Sequence, residues 1–138
     1  MGSDARHELV DHTSEVTMRL RAPTFPALVA EATRAFAELV PPHARGARSD
    51  GWRELRVGGL DREAALVAWL NEIVYLCEVD RWLPEEAEVS VENGGQLRVR
   101  VRGVALVEPF VLVKAATLHG AEIRAANGGL EVEVTLDI

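Results

Sequence analysis

Apolar residues recur at helical spacing most persistently between Asp61 and Val79, DREAALVAWLNEIVYLCEV, where Leu66, Trp69, Leu70, Ile73, Leu76 and Cys77 share one face. Asp61 is placed to cap the first turn, and at ~1.5 Å rise per residue the segment makes a rod of roughly 28 Å. A nine-residue strand is about as long. The helix can therefore lie along a sheet and bury Trp69 and Leu70 against it. A second helical pattern follows Thr24, an N-cap candidate, with Phe25, Leu28, Val29, Ala32, Phe36 and Leu39 apolar, and stops at Pro41-Pro42. Its Glu31, Arg34 and Glu38 read as a solvated face.

Elsewhere the period is two. Residues 6 to 21 hold two short strands divided by Asp11-His12-Thr13, and in the second Val16, Met18 and Leu20 alternate with polar neighbours, so Glu15 points away from the core face. Trp52 to Val57 reads as a short strand leading through Gly58-Gly59 into the long helix, which ends before Pro84. Val89 and Val91, then Asn93-Gly94-Gly95, then Leu97, Val99 and Val101 form a hairpin. An apolar run, Val111 to Val113, leads to Lys114, and Ala121, Ile123 and Ala125 alternate before the turn Asn127-Gly128-Gly129. The last strand alternates Leu130, Val132, Val134, Leu136 and Ile138 with Glu131, Glu133, Thr135 and Asp137. Pro42 to Gly51, rich in Pro, Gly, Ala and Arg, lacks apolar periodicity and reads as an exposed loop. The pattern predicts one α+β domain over residues 1–138, two layers deep, with two amphipathic helices on one face of a largely antiparallel or mixed sheet.

Composition narrows the function. The formal charge is −7 and the pI about 5.1, which argues against a protein that grips nucleic-acid phosphates strongly by itself. The N-terminal residues contain no apolar run of signal-peptide length, and no apolar stretch reaches the ~18 residues of a membrane span, so a cytoplasmic protein is expected. Cys77 is the single cysteine and its place on the apolar stripe suggests an inert core thiol. Lys114 is the single lysine among 15 basic residues. Arg98, Arg100 and Arg102 line the polar face of their strand, either as a basic stripe for a partner or paired with carboxylates of a neighbouring strand, the Glu-rich last strand being the candidate.

No P-loop, GxGxxG, nucleophile elbow, HExxH or paired CxxC is present. His7, His12, His43 and His119 are scattered, and no two share ligand spacing on a helix. The acidic residues are more informative. If the first and last strands were adjacent, Glu15, Asp137 and the carboxylate of Ile138 would converge near Asp11 and His12. Their repulsion could be offset by a hard divalent cation, or the group could be a solvated acidic edge.

These residues, in order, resemble the archease family, which assists the RtcB-type RNA ligase that joins tRNA halves in splicing. The likeness is carried by Asp11-His12-Thr13-Ser14-Glu15, similar to the family's D/E-H-T-A-D; Trp69-Leu70-Asn71-Glu72, similar to W-L-N-E; Lys114-Ala115-Ala116-Thr117-Leu118-His119, similar to K-A-[VI]-T-[YF]-H; and the terminal Leu136-Asp137-Ile138. The resemblance implies a compact α+β domain, not an enzyme, that promotes guanylylation and repeated turnover of the ligase. It also implies a divalent cation, calcium, held by Glu15, Asp137 and Ile138. Asp11, His12, Lys114, Thr117 and His119 are further candidates for contact with the partner. Glu15 is one methylene longer than the family's Asp, Leu118 replaces an aromatic, and the segment between Gly103 and Val111 is shorter than the family's. Two other functions fit the residues: a general protein-interaction or chaperone-like module, and a small metal-dependent hydrolase using Glu15, Asp137 and His12 or His119. Two-metal chemistry needs more convergent ligands than this chain offers.

Overall fold

In the computed structural model, which describes residues 5–117 and 120–138, the strands divide into two antiparallel sheets rather than one. The first contains β1 (Arg6–Asp11), β2 (Glu15–Ala22), β9 (Gly129–Asp137) and β7 (Ala115–Thr117) in that order, with β8 (Arg124–Ala126) also paired to β9. The second is built on β6 (Leu97–Leu106). It has β5 (Trp82–Val91) along one side, and β3 (Arg45–Arg48) and β4 (Arg53–Val57) pair with successive parts of β6. Two helices, α1 (Phe25–Glu38) and α2 (Arg62–Glu78), contact both sheets. The α+β class expected from the sequence is the one observed.

Both helix starts are capped as expected. Thr24 Oγ1 accepts from Ala27 N at 3.3 Å, and Asp61 Oδ1 accepts from Ala64 N at 2.8 Å. Trp69 and Leu70 are fully buried. The Trp69 indole N–H donates to Thr33 Oγ1 of α1 at 2.9 Å, and Thr33 in turn donates to Val29 O at 3.1 Å, so this buried polar contact ties the two helices together. The core is one cluster of apolar side chains drawn from both helices and both sheets. None of the described helices is long and apolar enough to cross a membrane.

Four details differ from the sequence-based expectation. Glu31 is not on a solvated face; it is 4% exposed, because β1 covers that side of α1. His7 Nδ1 lies 2.6 Å from Glu31, His7 Nε2 lies 2.6 Å from Glu38, and Arg34 Nε donates to Glu31 at 3.0 Å. The segment after Pro42 is not a plain loop but a 3₁₀ turn, Pro42–Ala44, followed by β3. Strand β5 begins at Trp82, two residues before Pro84, and the register shifts between Pro84 and Glu86, a bulge that accommodates a residue unable to donate to the ladder. Finally, the arginine stripe of β6 is paired, but not with the last strand: Arg98 meets Glu54 at 2.8 Å on β4, while Arg102 meets Glu86 at 2.8 Å and Arg100 meets Glu88 on β5. The glutamates of β9 lie in the other sheet, where Glu131 and Glu133 pair with Arg21 and Arg19.

Candidate functional site at the acidic end of the first sheet

Period-two alternation brings Glu15 to the start of β2 and Asp137 to the end of β9, and the antiparallel register sets these two residues directly opposite each other. Opposite residues project to the same face. Ile138 N donates to Ser14 O at 3.1 Å, so Ser14 and Ile138 are a hydrogen-bonded position and Glu15 and Asp137 fall at the next, non-bonded one. At such positions the Cα atoms are only ~4.5 Å apart and side chains are closest. Two carboxylates placed there repel each other. The turn before Glu15 is closed by His12 N donating to Glu15 O at 2.8 Å.

On the other side of β9, Ala115 lies opposite Asp137, and Lys114 N donates to Asp137 O at 2.8 Å. The Lys114 backbone is thereby held against Asp137, and its side chain is exposed. Thr117 lies opposite Thr135, which also faces Thr17, so a row of three threonines follows the carboxylates along the same face. Asp11 pairs with Val16 and therefore projects to the opposite side from Glu15; it is near the pair but does not share its face. His12 is exposed on the turn, and His119 lies outside the described residues. Asp11 and His12 are exposed at the same end of the sheet as Glu15 and Asp137.

The role of Asn71 was not visible in its sequence motif. Its Nδ2 donates to Ala116 O at 3.1 Å and its Oδ1 accepts from Ala116 N at 2.8 Å, satisfying the outer edge of the short strand β7 as a neighbouring strand would. Two of the quoted motifs, around Trp69 and Lys114, thus meet in space. Helix α2 fixes β7, β7 lies along the end of β9, and the end of β9 carries Asp137.

Among the described residues, no three His, Cys, Asp or Glu side chains cluster closely enough to hold a metal. A cation at this end would need the two carboxylates plus main-chain oxygen, for which Ile138 is the adjacent source. The available donors are oxygens in a locally repulsive acidic pair, which is the chemistry a hard cation such as calcium takes. The residues therefore fit a group of that kind. Cys77 offers no alternative ligand or nucleophile, because burial pushes its thiol up to about 12.

Comparison with known proteins places the whole chain in a family. Residues 7–138 match the model of the Archease protein family (MTH1598/TM1083). The protein archease of Archaeoglobus fulgidus is 28% identical over 138 residues, covering 96% of this chain and 99% of the relative. That of Methanopyrus kandleri is 29% identical over 139 residues, covering 95% and 98%. Among solved structures, Protein 1598 of Methanobacterium thermoautotrophicum superposes with a TM-score of 0.68 at 20% identity, over 96% of this chain and 98% of that one. The crystal structure of an archease, possible chaperone, from Thermotoga maritima gives 0.65 at 17% identity, over 99% and 100%. At these identities the structural likeness concerns the fold.

Proposed function

This chain belongs to the archease family, and on that footing we propose that it is a non-enzymatic protein cofactor of an RtcB-type RNA ligase, promoting guanylylation and multiple turnover of the ligase in tRNA splicing or RNA repair in the cytoplasm. The observation that supports this reading most is the facing pair Glu15 and Asp137 beside the Ser14–Ile138 contact, at the sheet end where the family motifs meet. Glu15, Asp137 and the Ile138 carboxylate would hold the divalent cation, calcium. Bound there, it would neutralise the acidic pair and offer a hard positive centre to a partner's oxygen groups. Lys114 and Thr117 flank that surface, with Asp11 and His12 at its edge, and His119 follows in sequence. The net charge of −7 supports recruitment through protein contacts rather than independent RNA binding.

Two measurements test the proposal. The cognate ligase incubated with GTP should be guanylylated faster and turn over more RNA when the protein is added, while the protein alone should transfer no nucleotide and join no RNA. Calcium titrated by calorimetry should bind the wild-type chain and bind a C-terminally amidated or extended chain more weakly. An unchanged ligase would remove the activator reading. A second reading, a chaperone-like interaction module, has its own observation: Val107, Val111 and Leu112 are 62%, 60% and 49% exposed. If that reading held, the protein would suppress aggregation of unrelated clients and leave the ligase unaffected.

A further inference from the structure

The acidic pair occupies one end of the outer face of the first sheet; the other end, six residues along β2 and so roughly 20 Å away, is basic. There Arg6 lies opposite Arg21, Arg21 opposite Glu131, and Glu131 opposite Arg124. Four strands thus contribute one continuous row of three guanidiniums and a single carboxylate. Glu131 is shared: one oxygen is 3.0 Å from Arg21 and the other 3.8 Å from Arg124. Among the described residues Arg6 has no ion-pair partner, although it faces another arginine. Like charges directly across a sheet are unfavourable. Among the described residues the row is therefore uncompensated, and it offers a place for an added counter-charge.

The shape fits such a counter-charge. The row lines an open cleft of about 380 Å³, within the range of small-molecule sites. On the side towards the acidic end the cleft is bounded by Arg19 between Glu8 and Glu133, at 2.7 and 3.1 Å, a row whose one guanidinium is fully engaged by its two carboxylates. That leaves Arg6, Arg21 and Arg124 as the groups with donors to spare, and guanidinium forks match phosphate oxygens in geometry as well as charge.

We infer that this cleft binds a phosphate-class oxyanion, free or as the terminal group of a nucleotide, through Arg6, Arg21 and Arg124. A phosphate carrying about two negative charges near neutral pH would offset the excess of the row. This site is separate from the acidic end and goes beyond the ligase reading.

The test is a titration followed by backbone amide shifts, using inorganic phosphate, pyrophosphate and a nucleoside monophosphate, each against sodium chloride at matched ionic strength. Shifts should centre on residues 6, 21, 124 and 131 and saturate. Arg6→Glu should weaken binding by roughly tenfold or more, and Glu131→Gln should strengthen it. Stronger binding of the nucleoside monophosphate than of phosphate would identify a nucleotide as the source, and equal binding would identify the free anion. Shifts that match the chloride control, that spread over arginines of the second sheet, or that persist unchanged in Arg6→Glu would overturn the site.

Discussion

Replacing Asn71 with alanine isolates the link between α2 and the acidic end. The substitution removes both hydrogen bonds to Ala116, at 3.1 and 2.8 Å, and takes away little packing because Asn71 is exposed on its helix. Each neutral hydrogen bond is worth ~0.5 to 1.5 kcal/mol net, and water can reach this edge of the sheet, so the global cost should be about 1 to 2 kcal/mol. With a urea dependence of about 2 kcal/mol per molar, the unfolding midpoint should fall by roughly 0.5 to 1 M. The local effect should be larger in proportion. Strand β7 has three residues, and without Asn71 the Ala116 amide loses its only acceptor on that edge among the described residues, so its hydrogen exchange should accelerate far more than that of Val134 in β9. Because Lys114 N holds Asp137 O from the same segment, loosening β7 should also weaken the calcium binding proposed for this end. If Ala116 exchanged at the wild-type rate in Asn71→Ala, the bracket would not be what fixes this strand, and the proposed path from helix to site would fail.

Three other outcomes follow from the packing. Trp69→Ala should cost ~3 to 5 kcal/mol in urea unfolding, since the side chain is fully buried and its loss also removes the donor to Thr33 Oγ1; an unchanged midpoint would contradict the helix placement. His7 should give stability a pH dependence: burial alone would push its imidazole down, but hydrogen bonds to Glu31 and then Glu38, with the charge of both carboxylates, hold it above its ordinary value. Its contribution is then complete below about pH 6.5 and lost as pH rises through the raised value, so the wild-type midpoint should decline over that window relative to His7→Gln, and parallel profiles would refute the assignment. Gly103→Ala should prevent a normal β5–β6 pairing, as a Cβ there would sit 1.8 Å from Leu83 O; native-like amide spectra for this variant would show that the bulge is misplaced.

What the sequence made legible was local. Thr24 and Asp61 cap helices because their side chains satisfy amides three residues on, and the hairpin at Asn93-Gly94-Gly95 announces itself by alternation on both sides of a glycine turn. Strand pairing is tertiary, and there the pattern was silent. Nothing in Arg45–Arg48 alternates, yet it forms β3 by pairing with β6, and nothing in the spacing of β2, β6 and β9 reveals that they belong to two sheets. Glu31 looked exposed because a helical wheel counts only its own helix, whereas β1 packs against that side and supplies His7. At the acidic end, periodicity gave the outward direction of Glu15 and Asp137, but their juxtaposition required the β2–β9 register. The bracket made by Asn71 left no trace beyond a polar residue following a buried Trp-Leu pair.

The central claim, that the acidic end acts on a ligase, is tested most directly by one rate. Guanylylation of the cognate RtcB-type ligase should be measured with GTP and calcium in the presence of wild-type protein, Asp137→Asn, and Arg98→Ala as a surface control on the other sheet. Asp137→Asn keeps the strand and changes one charge on its polar face, so its unfolding midpoint should match wild type closely. The account predicts that wild type and Arg98→Ala accelerate guanylylation equally while Asp137→Asn leaves the ligase at its unassisted rate. Equal acceleration by all three would contradict it.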